Sequence, residues 1–238
     1  MTRASSLPDR PSLSPAPPRP GWPELAVGAV AYLLSIVVVR ATLPLVDDEV
    51  TLGLLGLFVS GTIGLAAFVA AFAIRVRSLA AFGVRRTEPR KILAGAALGL
   101  VAYLLGVVVS IIYVSLSGDA QNVQASYQAA AAGGWLPLAL ALVAGALLTP
   151  LGEELFFRGV VAHVLLSKFG AWVGVIASAA VFAVAHGINP VLPVAFVVGV
   201  LTALIYRWSG SIWPGVALHA MNNGVALLVP VVVGLSVE

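Results

Sequence analysis

Residues 134–167 read GWLPLALALVAGALLTPLGEELFFRGVVAHVLLS, and this stretch decides the fold. Crossing the hydrocarbon core of a bilayer takes about 20 apolar residues, and this run exceeds that. In lipid each backbone polar group needs a partner inside the protein, so the run is read as helix. It is too long for one straight span. Thr149-Pro150-Leu151-Gly152 lies near its middle. Proline removes a backbone donor and crowds the preceding turn. This predicts a kink or break at Pro150, with Thr149 capping a new half-helix and Pro150 at its first position.

The rest of the chain has the same texture. Of 238 residues, 60% are apolar and 10% are charged, with 24 glycines besides. Soluble domains run nearer 45–50% apolar and about 25% charged, so a soluble enzyme is excluded. Apolar runs cover about 23–46, 50–74, 92–117, 134–167, 171–187, 190–206 and 212–235. The expected fold is all-α: a polytopic transmembrane helix bundle of about seven spans, eight if a re-entrant segment forms near Pro150. Residues 1–21, rich in Pro and Ser, read as a disordered cytoplasmic tail. Residues 22–238 read as one transmembrane domain. With no cysteine, thiolate metal sites, disulfides and cysteine nucleophiles are excluded. Gly95-xxx-Gly99 and Gly170-xxx-Gly174 are small-residue pairs that permit close helix packing.

Orientation follows from Lys and Arg. Arg3, Arg10 and Arg19 lie in the tail, and Arg75, Arg77, Arg85, Arg86, Arg90 and Lys91 lie in the second loop. Lys168 and Arg207 lie in later loops on the same side. Seven spans with the N-terminus inside make all of these cytoplasmic. The net charge of +3 is thus explained by topology, and no nucleic-acid partner is expected. The opposite loops carry Arg40, Asp47, Asp48, Glu49 and Asp119. Trp22, Trp135, Trp172, Trp208 and Trp213 fall at span ends, as an aromatic belt requires. The Ala/Val/Arg/Pro-rich composition points to a bacterial source, hence a multi-pass protein of a bacterial plasma membrane.

A charge at mid-membrane costs about 2.5–3.5 kcal/mol on insertion scales, so intramembrane ionisable groups are functional suspects. These are Glu153, Glu154 and Arg158, then His186, then His219 with Asn222 and Asn223. Glu154 and Arg158 are i and i+4 on one helix face, which suits a salt bridge. Glu153 lies about 100° away and lacks that partner. His219 and Asn223 share a face, as do Phe182 and His186. Asn222 faces away and reads as a packing residue. At ~1.5 Å per residue, Glu154, His186 and Asn223 lie about 18–22 Å from their cytoplasmic ends, and His219 about 12 Å. Three helices can thus bring carboxylate, imidazole and amide to a similar depth.

EELFFR (153–158), FAVAH (182–186) and HAMNN (219–223) match, in order, the EExxxR, FxxxH and HxxxN motifs of the CPBP family. These are the CAAX-type prenyl-protein endopeptidases and the bacteriocin-processing or Abi membrane proteases. The resemblance covers roughly residues 134–235. It implies an intramembrane protease in which Glu153 and His186 activate a water and His219 with Asn223 stabilise the oxyanion. Glu154 and Arg158 would support them from behind. The residues agree chemically. Peptide hydrolysis needs a general base, and an oxyanion needs preorganised donors.

Family members have also been labelled metalloproteases. Glu153, His186 and His219 could hold a divalent ion such as zinc. The reading leans to metal-independent glutamate chemistry, and no other cofactor is implied. There is no HExxH, no GxSG, no second membrane aspartate beside Asp119 and no lysine in the last span. Site-2-type, rhomboid, aspartyl and retinal-protein readings therefore fail on residues. A non-catalytic member of the same family, an immunity factor or scaffold, is the alternative. The expected partners are the bilayer and a peptide or lipidated-protein substrate. A kink at Pro150 would suit a lateral gate for a lipid-borne peptide.

Overall fold

The computed structural model describes residues 18–235. The proposed tail, apart from residues 18–21, lies outside the described residues, as do Arg3, Arg10 and Glu238. The described chain is all helical, with no strand among the described residues.

Among the described residues eight helices longer than one turn follow one another: α1 (Trp22–Thr42), α2 (Glu49–Ile74), α3 (Pro89–Ser117) and α4 (Ala125–Ala132). Then come α5 (Trp135–Phe169), α6 (Ala171–Ala185), α7 (Leu192–Ser209) and α8 (Trp213–Leu235). Six of them are long and apolar enough to cross a membrane. The fifth expected span is α6, of 15 residues. It rises only ~22 Å, short of a ~30 Å hydrocarbon core. Its last turn, and His186 just beyond, therefore stop inside the bundle. Gly187 (φ +93°) turns the chain there, and Asn189 Nδ2 donates to the His186 carbonyl at 2.8 Å.

The middle of α5 is the axis of the bundle. From Gly152 to Ala162 every residue is buried. Helices α2, α6 and α8 pack around this segment, and α3 backs α7 and α8. The core is aromatic at its centre, where Phe157 meets Phe182 edge-on at 5.0 Å and Tyr32 stacks on Phe156 at 5.3 Å. Helices α1 and α3 show apolar residues outward, such as Leu33, Val37, Leu104 and Ile111. A helix apolar all round is one that faces lipid.

Glycines set the distances between helices. An added Cβ on Gly152 of α5 would lie 1.9 Å from the Gly61 carbonyl oxygen of α2, and one on Gly64 would lie 2.5 Å from Gly152. The same holds for Gly95 and Gly99 of α3 against Pro214 and Leu218 of α8, at 2.1 and 2.4 Å. The first small-residue pair read from the sequence thus seats α3 on α8. Gly152→Ala is expected to destabilise the fold by ~1–3 kcal/mol through overpacking against backbone; thermal unfolding in detergent measures it.

The break expected at Pro150 does not occur. Helix α5 continues through it, because the turns just before, Val143–Leu148, are π-helical. The Thr149 N–H bonds to the carbonyl of Ala144, five residues back. In that register the next donor is residue 150, a proline, and the carbonyl left over is that of Gly145. Thr149 does not cap a half-helix. Its Oγ1 donates to the Leu57 carbonyl of α2 at 2.8 Å. A second π-helical stretch, Phe157–Ala162, follows the glutamates.

Arg75, Arg85 and Lys91 lie at the ends of helices, away from Arg40 at the other end of α1. Arg75 pairs with buried Glu24 at 2.9 Å, Arg85 donates to the Gly210 carbonyl at 2.6 Å, and Lys91 lies over Trp208 at 5.3 Å. All five tryptophans lie at helix ends and are exposed or half-buried.

Candidate active site

The sequence pattern places the ionisable groups on three helices, and the fold brings them to one point. Glu153 projects from α5, His186 from the end of α6, and His219 from α8. Glu153 Oε2 lies 3.8 Å from His186 Nε2 and 3.7 Å from His219 Nε2. Glu153 is buried, with 2% of its surface exposed. Its two oxygens differ. Oε1 accepts a hydrogen bond from Ser60 Oγ of α2 at 2.9 Å. Oε2 has no hydrogen-bond partner among the described residues.

The histidines are oriented from behind. His186 Nδ1 lies 2.8 Å from the Phe182 carbonyl, which can only accept. Nδ1 therefore carries a proton, and when the ring is neutral Nε2 presents a lone pair toward Glu153. Two acceptors facing each other at 3.8 Å suit a water that donates one hydrogen to each. The Phe182 ring packs on both imidazoles, with centroids at 4.6 Å from His186 and 5.7 Å from His219. The i, i+4 spacing of Phe182 and His186 thus sets the aromatic ring beside the imidazole.

Glu154 and Arg158 form the anticipated pair, 3.3 Å apart and fully buried. Glu154 also faces His219 Nδ1 at 3.3 Å. Arg158 donates to Thr202 Oγ1 of α7 and lies over the Phe182 ring at 4.5 Å. The pair stands one layer behind Glu153 and His219.

Asn223 Nδ2 donates to the Gly145 carbonyl at 3.0 Å. This is the carbonyl left over in the π-helical turn before Pro150, so an amide from α8 supplies the donor that proline lacks. Asn222 departs from its reading as a packing residue. Its Nδ2 donates to Asn223 Oδ1 at 3.1 Å, and it lines the same cavity.

That cavity, of about 170 Å³, is walled by Glu153, His186, His219 and Asn223 together with residues not singled out from the sequence. These are Ser60 from α2 and Gln124, Tyr127 and Gln128 from α4 and the loop before it. Helix α4 reaches the cavity because α2 offers it glycines. A Cβ on Gly53 would lie 1.9 Å from the Ser126 carbonyl oxygen, and one on Gly56 would lie 2.8 Å from the Tyr127 ring. The polar run Gln121–Gln128 was the available signal, but it stands outside the apolar spans. His163 bonds Tyr206 at 3.1 Å and lines neither cavity of this region.

The donor set also bears on a metal. Glu153 Oε2 is unpartnered, and both histidines have Nδ1 occupied, as ligating histidines do. The donors stand 3.7–3.8 Å apart, a few tenths of an ångström wider than the ~3.3 Å edge implied by zinc bond lengths. Among the described residues no three His, Asp or Glu are close enough to form a ready metal cage. The residues suit such an ion in kind, but not at these separations.

Residues 135–225 match the family model described as Type II CAAX prenyl endopeptidase Rce1-like. This is a protease family, and the match covers all three motifs. No curated protein and no solved structure matches the chain.

Proposed function

We propose, taking the endopeptidase family matched by residues 135–225 as the premise, that this integral membrane protein hydrolyses a peptide bond inside the bilayer. Its substrate would be a membrane-associated or prenylated protein or peptide. One observation carries the reading: a buried carboxylate oxygen, Glu153 Oε2, stands unpartnered at a cavity wall between two imidazole nitrogens.

In this reading a water donates to Glu153 Oε2 and to His186 Nε2. As it attacks the scissile carbonyl carbon, one of its protons passes to Glu153. The carbonyl oxygen takes up the negative charge. Asn223 holds one amide hydrogen on Gly145 and has the other for that oxygen. His219 enters the step already protonated on both nitrogens, keeping its Nδ1 hydrogen on Glu154 and donating from Nε2 to that oxygen. When the C–N bond breaks, Glu153 returns its proton to the leaving amine. Glu154 and Arg158 fix the position of His219 and the local charge. A divalent ion held by Glu153, His186 and His219 would supply a Lewis acid for the same water. The basic end of the bundle, with the N-terminus, is assigned to the cytoplasm by the positive-inside rule.

Ser60 aims the base. By occupying Oε1 it leaves Oε2 for the water. Ser60→Ala is expected to lower kcat about tenfold with KM within twofold, and Ser60→Thr to recover most of it; steady-state kinetics separates the two constants.

The reading as a whole is tested by comparing peptide termini in membranes and medium of cells making wild type or Glu153→Ala at equal levels. Termini that disappear in the variant support it and name the substrate. Identical termini, with any cellular phenotype still rescued by the variant, overturn it in favour of a scaffold.

A further inference from the structure

Two features take no part in the site described above: His163 and the second π-helical stretch of α5. They adjoin. The His163 N–H closes that stretch on the Arg158 carbonyl, five residues back. Its ring meets Tyr206 of α7, with Nδ1 lying 3.1 Å from the hydroxyl. His163 is half-buried, and its Nε2 makes no hydrogen bond among the described residues. With the Tyr206 hydroxyl donating to Nδ1, the neutral ring carries its hydrogen on Nε2 and can donate from there.

Positive charge gathers around this ring. Arg19 and Arg85 both bear on it, and Arg85 bears on Tyr206 as well. Each is set in place by its surroundings. The Arg19 carbonyl accepts from Arg75 Nη2 at 3.2 Å. Arg85 Nε donates to the Gly210 carbonyl at 2.6 Å, and Ser211 Oγ donates to the Arg85 carbonyl at 2.8 Å. Two residues before Arg85, Gly83 (φ +78°) lies against Tyr206, where a Cβ would stand 2.7 Å from the ring.

The carboxylates closest in sequence are engaged elsewhere. Glu24 is taken by Arg75, and Glu88 by Arg90 and Lys91. Arg19 and Arg85 thus have no ion-pair partner among the described residues. Two guanidiniums and an imidazole without a counter-ion suit an anion with several oxygens, above all a phosphate. The flank is apolar. Trp22, three residues after Arg19, meets Phe169 at the end of α5 edge-on at 6.2 Å, and both rings are about half exposed. A free phosphate gains nothing from those rings, whereas a lipid lays its chains beside them.

We infer that Arg19, Arg85 and His163 bind the phosphate of an anionic phospholipid where α5 and α7 end. The bound lipid braces the bundle. Thr202, which accepts from Arg158, lies one turn before Tyr206 on α7. Arg158 lies one π-helical turn before His163 on α5. A headgroup held by His163 and Arg85 therefore clamps α5 to α7 directly behind the Glu154–Arg158 pair, across a wide turn of the kind often found at functional sites. The site stands independently of the endopeptidase reading.

The test places the full-length protein in phosphatidylcholine nanodiscs with and without phosphatidylglycerol. Native mass spectrometry then counts the lipids that stay bound. Wild type is expected to retain phosphatidylglycerol at least about fivefold over phosphatidylcholine, and loss of one basic contact should cost about that factor. Arg85→Gln, which can still donate to Gly210, and His163→Gln, which can still accept from Tyr206, should each remove the preference. Arg19→Gln, outside the packed bundle, repeats the test where folding is not in question. Arg90→Gln removes one charge that does not bear on His163 and should change nothing. Hydrogen exchange gives a second readout: phosphatidylglycerol should slow amides 158–163 about threefold or more in wild type and not in His163→Gln. Equal retention of both lipids by wild type, or an equal loss in Arg90→Gln, overturns the site in favour of general attraction to a basic surface. Inorganic phosphate that slows the same amides as far, in phosphatidylcholine alone, overturns the lipid in favour of a free anion. Unchanged exchange with the lipid bound overturns the clamp.

Discussion

Glu153→Gln is expected to slow hydrolysis by about a hundred- to ten-thousandfold, the usual worth of a positioned general base, while unfolding at the temperature of wild type. The amide keeps the size of the side chain and can still accept from Ser60 Oγ, which lies 2.9 Å from Oε1. It cannot take a proton from water. The loss therefore belongs to kcat, and single-turnover cleavage of the natural substrate reads it directly. His186→Ala should show a smaller loss, because it removes the acceptor that orients the water and leaves the base. A Glu153→Gln variant that cuts at more than a tenth of the wild-type rate would transfer the role of base elsewhere in the cavity.

Arg158→Met is expected to produce the largest loss of stability, ~3–5 kcal/mol, the cost of leaving one member of a buried ion pair without the other. Arg158 is 1% exposed and Glu154 not at all. With the arginine gone, the Glu154 carboxylate keeps, among the described residues, His219 Nδ1 alone at 3.3 Å. Adding Glu154→Gln to Arg158→Met should recover most of that stability, since no charge is then stranded. It should not recover activity, because His219 loses the carboxylate that holds its ring. Unfolding in detergent, followed by helix content, gives the first quantity, and kcat gives the second. The opposite pattern, stability lost and activity kept, would confine the pair to packing.

Much of this site is legible in the sequence because helices are periodic. Intervals of four residues put Glu154 with Arg158, and Phe182 with His186, on shared faces, and the fold keeps both. What the intervals do not carry is the partner of Glu153. A serine in an apolar helix ordinarily bonds its own backbone, as Ser35 does to Ala31 and Ser115 to Ile111, each about one turn back. Nothing local distinguishes Ser60 from these. Its bond to Glu153 exists only because Gly61, Gly64 and Gly152 let α2 and α5 touch through their backbones. Helix α4 escapes the sequence for a similar reason: its seat is the bare face of Gly53 and Gly56, some seventy residues earlier. The break expected at Pro150 fails because the rule assumes α-helical register, and the turns before it are wound one residue wider.

That wider turn fixes more than the path of α5. One backbone oxygen, on Gly145, is satisfied by a single side chain of another helix, Asn223. Were α8 to slide by one turn so that Leu227 stood in its place, that oxygen would face a group with no hydrogen to give, in surroundings where each such omission costs several kcal/mol. The proline thus acts as a key for the rotational and axial setting of the last helix: it withholds one hydrogen, and only one alignment of α8 returns it. Position 223 should accordingly keep a hydrogen-bond donor wherever position 150 is proline, since a change at 223 alone leaves the Gly145 oxygen without a hydrogen.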